Sequence, residues 1–511
     1  MAMKTRSPFL YYSHDFFYLL FPLLLPVLLL SFSNWLRKRS LQNRCYGPRS
    51  YPLVGCMVAY WKNQYRLLDW YTELLADSPG GTIVVQRLGA PRTVVTANPA
   101  NVEYVLSTQF SNFPKGKPFT EVLGDLLGHG IFNTDGELWH TQRKVASPEF
   151  ATSHLRRFVL TTLRNEIEGR LLPILRQEAR SGTVLDLQDV FKRFTFDSIC
   201  LVSFGMYPGC LELPLQESRL AKAFDIAAEI SARRGAATLQ AIWKIKRALN
   251  LGSERKLKEA VGVVREAVAE IVMEQAHKGG DHLLARLLRA GLGEELARDM
   301  VVSFIMAGRD TTSAALTWLF WLLARHTQAE REVIREAQET TTLDYQGLMG
   351  LKYLHACLCE TMRLYPPVAW DSKHAARDDV LPDGTGVTKG CRITYFPYGM
   401  GRTEGIWGKD WAEFRPERWL EGRIVSAFEF PVFQGGPRQC LGKEMAFLQM
   451  KYVAASVLKE FRVVLKEADR VPLFVPLLTA CMGGGLAVRV EERETSMGGV
   501  LLYDNCKSMT S

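Results

Sequence analysis

The sequence predicts a mainly α-helical protein with small β-sheets and one membrane anchor at its N-terminus. Apolar residues make up 47% of the 511 residues, which is ample for one large core. Beyond Asn98-Pro99 the apolar positions recur mostly with a helical period. Residues 82–88 and 92–96, separated by Gly89-Ala90-Pro91, predict a β-hairpin. No internal repeat or low-complexity linker divides the middle of the chain, so we expect one large domain.

The N-terminal region has the pattern of an uncleaved anchor helix. An apolar run over residues 16–36 is long enough to cross a bilayer core, and residues 1–15 before it are expected to be lumenal. Arg37-Lys38-Arg39 follows the run directly, whereas only Lys4 and Arg6 precede it. This bias predicts a single-pass protein whose body faces the cytoplasm. A cleaved signal peptide is the competing interpretation, but the basic cluster follows the apolar run rather than preceding it.

The remaining boundaries follow from composition. Residues 37–55 form a basic, proline-containing hinge, residues 56–490 one large folded domain, and residues 491–511 a polar, flexible tail. The net charge of +9 indicates an acidic partner surface, such as anionic lipid or an acidic protein. Because no nucleic-acid-binding signature accompanies it, we expect no nucleic-acid partner. The ten cysteines show no C-x-x-C pair and no zinc spacing, which is typical of a reducing compartment.

One stretch near the C-terminus carries the strongest chemical signal. It has the form F-x-x-G-x-R-x-C-x-G, built from Phe433, Gly436, Arg438, Cys440 and Gly442. A thiol before a helix start meets unpaired N–H groups and the positive end of the dipole, which favour thiolate. The glycines leave space for a large flat group, and the arginine suits an anion on its edge. The pattern predicts a haem-thiolate site, although a lone cysteine at a helix start is usually a buried apolar residue.

The longest helical pattern runs from Glu294 to about His326 and is apolar almost all round, so we expect it to be buried. A glycine and a charged pair inside it, in Ala307-Gly308-Arg309-Asp310-Thr311, break the pattern and point to function. Small Ala307 and Gly308 leave room for dioxygen, Thr311 could hydrogen-bond it, and Asp310 could deliver protons. The alternative is a kinked helix with Asp310 in a salt bridge.

Trp139 and Arg143 stand four residues apart on one predicted helix. Both side chains are hydrogen-bond donors only, so together they suit a carboxylate. The alternative is a surface arginine packed on a tryptophan.

Glu360 and Arg363 stand three apart on a helix predicted over residues 348–364, which Pro366-Pro367 ends. Alone, such a pair is usually a solvated surface ion pair.

Taken together, the segments 139–143, 307–312, 360–363 and 433–442 resemble the cytochrome P-450 family in order and spacing. The resemblance implies the P-450 fold and haem (iron protoporphyrin IX) with Cys440 as the iron ligand. It implies propionates held by the tryptophan and arginine of the first segment, and oxygen activation by the second. It also implies electrons from NADPH through NADPH–cytochrome P-450 reductase, a monomer, and attachment to endoplasmic reticulum lipid.

The same resemblance gives Glu360, Arg363 and Arg418 a structural role. The arginine lies in Phe414-Arg-Pro-Glu-Arg418-Trp419, and the three side chains are expected to form a buried cluster that locks the loop carrying Cys440.

Residues 123–139, 307–318 and 442–446 are similar to the plant fatty-acid ω-hydroxylase clan, and within it to the subfamily of fatty-acid and jasmonoyl-isoleucine ω-hydroxylases. This implies hydroxylation of the terminal carbon of a lipid substrate. Free fatty acid or the hormone conjugate stays open at this point, as does the extent of oxidation. A hydroperoxide-rearranging enzyme and a non-catalytic haem protein are the rival classes.

The resemblance also implies that three segments line the substrate cavity: residues 113–119, taken as a loop, residues 368–370, and the turn 477–480. The candidate substrate residues are Phe119, Ala307, Val368, Trp370 and Leu478. Trp370 is expected to narrow the cavity over the haem and to restrict oxidation to the chain terminus. An arginine or lysine near the cavity mouth is expected to hold a carboxylate, but the sequence does not place it.

Overall fold

α-Helices account for most of the computed structural model, which describes residues 46–51, 54–213, 215, 218–237 and 240–493. Its helices are α1 (Met57–Asn63), α2 (Leu67–Ala76), α3 (Pro99–Glu103), α4 (Lys117–Leu127), α5 (Gly136–Phe150), α6 (Ser153–Glu166), α7 (Leu172–Ser181), α8 (Leu187–Phe204), α9 (Arg219–Ala236), α10 (Gln240–Ala248), α11 (Ser253–Lys278), α12 (Leu283–Arg289), α13 (Glu294–Arg325), α14 (Thr327–Glu339), α15 (Tyr345–Gly350), α16 (Lys352–Leu364), α17 (Pro397–Met400), α18 (Glu404–Trp407) and α19 (Lys443–Glu460).

The strands form small sheets, as predicted. They are β1 (Thr82–Val85), β2 (Thr93–Thr96), β3 (Leu185–Asp186), β4 (Asp371–His374), β5 (Asp379–Val380), β6 (Gly386–Val387), β7 (Arg392–Tyr395), β8 (Phe461–Leu465), β9 (Leu473–Val475), β10 (Cys481–Gly483) and β11 (Ala487–Glu492). The largest sheet has the order β1-β2-β7-β4, in which only β2 and β7 run parallel. The predicted hairpin is confirmed by the antiparallel register Thr82↔Thr96, although β1 ends at Val85 rather than Leu88.

Among the described residues, helix α13 crosses the larger of two hydrophobic cores and measures about 48 Å along its axis. Its bounds agree with the predicted helix to within one residue, and most of its side chains are buried. Glu294 and Glu295 lie in its first turn and Arg325 in its last, which complements the helix dipole. A second core packs around the four-stranded sheet. The long helix therefore runs through the interior of the larger core.

Two predicted elements differ from the structure. The single helix expected over 348–364 is divided, because Leu351 leaves the helical region at ψ 81° directly after Gly350, a poor helix former. The segment 113–119 is not a loop throughout, since α4 begins at Lys117. Pro118 in its first turn explains the early start, because the fixed φ of proline suits a helix N-terminus.

Several predicted segments lie outside the described residues: the N-terminus 1–15, the anchor 16–36, most of the hinge 37–55, and the tail beyond residue 493. Within the part of the chain that the structure describes, no helix combines the length and the apolar character needed to cross a membrane.

Candidate active site

The loop that carries Cys440 and the middle of α13 face each other across one cavity of about 260 Å³. Cys440 and Gly442 line one side, and Gly308, Thr311 and Thr312 line the other. These residues stand more than a hundred positions apart in the chain. The tertiary structure therefore brings together the two segments that the sequence analysis singled out independently.

Cys440 lies three residues before the first residue of α19, and its N–H donates to the carbonyl of Phe433 at 2.9 Å. Its thiol is accessible from the cavity but surrounded by protein, and this burial raises its pKa. The N–H of Gly442 and the charges of Arg143 and Lys443 lower the pKa by less. The expected preference for thiolate is therefore outweighed in the chain alone. A metal cation bound to the sulfur would supply the missing stabilisation.

Gly442 and Gly436 of this loop are glycine for different physical reasons. A Cβ on Gly442 would meet nothing closer than 3.9 Å, so its open face allows a flat group to approach the backbone. A Cβ on Gly436 would lie 2.1 Å from the carbonyl oxygen of Leu106, and its φ is +61°. Gly436 was expected to face the cofactor, but it is required instead for close packing of the loop against the backbone of residues 106–107.

Basic side chains dominate the edge of the cavity. Lys115, Arg143, Lys373 and Arg438 line it, whereas the only carboxylate among its lining residues is Asp371. That carboxylate pairs with Lys115 at 3.2 Å and with Lys373 at 3.1 Å. The excess of positive charge suits an anionic group such as the two propionates of haem. Together with Cys440 and open Gly442, the residues present therefore fit haem.

The tryptophan and arginine of α5 both line this cavity, but they have different partners within the protein. The Arg438 guanidinium lies 4.5 Å from the ring centroid of Trp139 and donates to Asp135 at 2.7 Å. Arg143 instead donates to the carbonyl of Gln439, in the loop before Cys440. Burial lowers the pKa of both Arg143 and Arg438. Both arginines line the cavity, but Trp139 is packed beneath Arg438 rather than beside Arg143.

Lys373 is a site residue that the sequence analysis missed. It is almost fully buried on β4, and burial lowers the pKa of its ammonium to about 7 although Asp371 opposes the shift. A buried lysine beside a single shared carboxylate is a donor available to a further anion. The only local signal was a basic residue shortly after Pro366-Pro367, which is too common to be informative.

On α13, Gly308, Thr311, Thr312 and Ala315 line the Cys440 cavity, at the i, i+3, i+4 and i+7 positions of one helix face. The Thr311 hydroxyl donates to the carbonyl of Ala307 at 2.6 Å. A Cβ on Gly308 would lie 2.4 Å from Cδ1 of Ile199. Gly308 was expected to leave room for dioxygen, but its small size is needed first for the close crossing of α8 and α13.

Asp310 was expected to face Cys440, but it does not line the Cys440 cavity. It lines a separate polar cavity of about 210 Å³ with Lys192, Asp225 and Glu229. Burial raises the pKa of its carboxyl, and the Arg309 guanidinium at 3.7 Å opposes that shift. Helical geometry explains the difference, because consecutive residues point about 100° apart. The acid and the alcohol of the motif thus face two cavities on different sides of one helix.

Glu360, Arg363 and Arg418 form the expected buried cluster. The Glu360 carboxylate is 2.8 Å from Arg363 and 2.9 Å from Arg418, and it is fully buried. The backbone N–H of Arg415 and the indole of Trp419 also donate to it at 2.9 Å. The cluster joins α16 to the segment before the Cys440 loop, which agrees with its expected structural position.

A second cavity of about 360 Å³ adjoins the first and shares Ala307, Thr311 and Val368 with it. All five candidate substrate residues line it: Phe119, Ala307, Val368, Trp370 and Leu478. We call it the channel. Trp370 lines only the channel and stacks on Phe396, whereas Phe132 lines both cavities. Trp370 therefore does not narrow the space beside Cys440, and Phe132 is a lining residue that the sequence analysis missed.

Comparison with known proteins agrees with this geometry. The family model described as Cytochrome P450 matches residues 46–482. The chain is 53% identical over 496 residues to cytochrome P450 94B1 of Arabidopsis thaliana, and the alignment covers 93% of this chain and 97% of the relative. It is 53% identical over 491 residues to cytochrome P450 94B3 of the same plant, covering 91% and 95%. It is 46% identical over 467 residues to cytochrome P450 94A2 of Vicia sativa, covering 87% and 91%. The chain belongs to the cytochrome P450 family of haem-thiolate monooxygenases, which draw electrons from NADPH through a reductase.

Proposed function

We propose that the chain hydroxylates the terminal, or ω, carbon of fatty acids. The observation that supports this most directly is the junction of the two cavities at Ala307 and Thr311. The channel that leads there is lined mainly by apolar side chains such as Phe119, Leu123 and Val368. Burying one methylene group of a lipid chain contributes about 0.8 kcal/mol, so such walls favour an extended acyl chain. A chain that enters end-on presents its terminal carbon first.

The proposed haem-binding residues lie at the edges of the cavity that Cys440 lines, which we call the inner cavity. Bound haem supplies the redox chemistry that activates oxygen, and Cys440 is its proposed iron ligand. Arg143, Arg438 and Lys373 are positioned to bind its carboxylates. Trp139 orients Arg438, Phe433 accepts the hydrogen bond from the N–H of Cys440, and Gly436 fixes the loop. Gly442 leaves its face open to the cofactor.

Proton supply is proposed to pass through α13. Asp310 holds a proton more readily than an ordinary aspartate because burial raises the pKa of its carboxyl, and it faces the polar cavity that contains Lys192 and Asp225. Thr311 is its neighbour on the inner cavity. If the Thr311 hydroxyl turns away from the carbonyl of Ala307, it can donate into that cavity. Asp310 would thus hold a proton on one side of the helix, and Thr311 would present a donor to the inner cavity on the other.

We further propose that residues 16–36 anchor a monomeric protein in the endoplasmic reticulum membrane, with the catalytic domain in the cytoplasm. NADPH–cytochrome P-450 reductase is the proposed electron donor. The net charge of +9 and the exposed Lys144 and Lys443, which flank the Cys440 loop, support an acidic partner.

The test is mass spectrometry of products from membranes that carry the protein, with NADPH and reductase present. Fatty acids and jasmonoyl-isoleucine would be supplied side by side, because the conjugate is the alternative substrate. We expect NADPH-dependent ω-hydroxy fatty acids. ω-Hydroxylated conjugate alone would assign the protein to hormone catabolism. NADPH-independent conversion of an added fatty-acid hydroperoxide would favour a hydroperoxide-rearranging enzyme. The absence of any spectral change with lipids would favour a non-catalytic haem protein.

A further inference from the structure

The outer end of the channel contains two arginines that the chemistry above does not use. Arg87 and Arg392 both line the channel, and neither forms an ion pair with a carboxylate among the described residues. Nε of Arg392 is buried and has no hydrogen-bond partner there. Burial and the neighbouring charge of Arg87 lower the pKa of Arg392, and the groups that act on it include no carboxylate. An anion between the two guanidinium groups would relieve both the desolvation and the repulsion.

The register of the four-stranded sheet explains why Arg392 faces the channel. Arg392 pairs with His374 on β4 and with Thr93 on β2. Paired residues of neighbouring strands point to the same face of a sheet, and alternate residues share that face. The channel accordingly contacts one face of this sheet, whose lining residues are Val85, Thr93, Val95, Ser372, His374, Arg392 and Thr394.

The same register places Arg392 far from the inner cavity. Asp371, which lines both cavities, pairs with Tyr395, whereas Arg392 pairs with His374 three residues further along β4. Three residues of antiparallel strand span about 10 Å. Along the sheet, the arginines therefore lie at the opposite end from Asp371 and the junction at Thr311.

Arg87 is held beside this end by the hairpin. It lies two residues after the last residue of β1, and its guanidinium is 4.5 Å from the ring centroid of Tyr60. Stacking on an aromatic ring restrains a guanidinium while leaving its N–H groups free to donate in the ring's plane. The pair thus offers several donors converging on one outer position of an otherwise largely apolar channel.

We propose that Arg392 and Arg87 form the subsite that binds the carboxylate of the lipid substrate. This inference rests on the proposed function, and it adds the group that determines which end of the lipid faces Thr311. A carboxylate held at the arginines leaves the other end of the molecule to extend along the channel toward the inner cavity. A free fatty acid and an isoleucine conjugate both carry a carboxylate, so the subsite accepts either source.

The test measures binding of dodecanoic acid and of its methyl ester to the haem-loaded protein. The substrate-induced change in haem absorption reports the binding. The variants are Arg392→Gln and Arg87→Gln. Arg92→Gln is the matched control, because Arg92 belongs to the same hairpin but donates to the carbonyl of Gly386 and does not line the channel. We expect Arg392→Gln to weaken acid binding about ten- to a hundredfold, as for a lost hydrogen bond to a charged group. Ester binding and the control variant should change little.

Two further arms complete the test. Arg392→Lys should restore part of the acid affinity, because it restores the charge without the fork of donors. Repeating the titration with jasmonoyl-isoleucine distinguishes the two sources of carboxylate. An equal loss for acid and ester would mean that the arginines only shape the channel, and unchanged acid binding in both glutamine variants would remove the subsite. Either result would leave ω-hydroxylation by the wild-type protein intact, whereas a wild type that binds neither acid refutes the proposed function and the subsite together.

Discussion

Replacing Glu360 by glutamine should destabilise the protein more than any exposed charge change. Its carboxylate accepts five hydrogen bonds: Oε1 accepts from Arg363, Arg418 and the backbone of Arg415, and Oε2 accepts from Arg363 and Trp419. A glutamine amide can replace only one oxygen as acceptor, because its nitrogen is a donor. The less damaging orientation puts the nitrogen at the Oε2 position, facing two donors.

The magnitude follows from those two lost bonds. A hydrogen bond to a charged group contributes about 1.5–3 kcal/mol, so Glu360→Gln should lower the free energy of unfolding by about 3–6 kcal/mol. Removing one partner of a buried ion pair destabilises a protein by about 3–5 kcal/mol, which independently supports this range. Against a total stability of about 5–15 kcal/mol, this loss is a large fraction of the whole. Trp419→Phe removes a single donor and should therefore have a smaller effect of the same sign.

The assay is urea denaturation of the haem-loaded protein. Tryptophan fluorescence and the absorption of the reduced CO complex monitor the unfolding. Glu421→Gln is the matched control, since Glu421 contacts Arg415 but is 53% exposed. An exposed pair contributes about 0–1 kcal/mol, so the control should unfold nearly like the wild type. If Glu360→Gln and Glu421→Gln unfold at the same urea concentration, the cluster does not stabilise the fold as argued here.

Four further outcomes are expected. Cys440→Ala should abolish the thiolate-type absorption of the reduced CO complex, because no other cysteine lines the inner cavity among the described residues and the methionines there cannot supply a thiolate. Thr311→Ala should uncouple NADPH consumption from product, while Thr311→Ser retains coupling. Trp370→Ala should broaden the positions of hydroxylation less than Val368→Ala, because only Val368 lines the inner cavity as well. Burial raises the pKa of Glu166 from 4.5 to about 7, so the wild type should lose stability relative to Glu166→Gln as pH rises from 5 to 7, by about 3 kcal/mol in total.

A specific outcome would contradict each of these four predictions. A normal thiolate spectrum for Cys440→Ala would remove the proposed ligand, and normal coupling in Thr311→Ala would refute its part in proton transfer. A broader product pattern for Trp370→Ala than for Val368→Ala would place the constriction in the outer channel. A difference in stability between Glu166→Gln and the wild type that does not grow between pH 5 and pH 7 would show that the carboxyl keeps its ordinary pKa.

Local sequence signals predicted the elements that carry the chemistry. The bounds of α13 follow from an unbroken helical period with acidic residues at one end and a basic one at the other. A helix starting just after the glycine-rich Cys440 loop was expected and is α19, and the hairpin follows from Gly89-Ala90-Pro91 between two predicted strands. Each signal lies within a few residues of the feature that it predicts, which is why the sequence was sufficient.

Contacts between distant segments were not predictable in this way. Lys373 and Arg392 became site candidates only because β4 and β7 pair in a particular register and present alternate residues to different cavities. Asp310 and Thr311 point about 100° apart on any helix, but which cavity each one faces depends on how α13 packs against α8 at Gly308. Arg438, rather than Arg143, stacks on Trp139 because a loop 299 residues further along the chain passes over α5.

The sequence by itself thus determined the family, the cysteine at the metal site and the long helix opposite it. These depend on residue type and short spacing. The tertiary structure decided which charges share a cavity, which side of the long helix each polar residue occupies, and where the channel has its basic end. These depend on strand register and helix crossing, which bring together side chains whose separation along the chain carries no periodic signal.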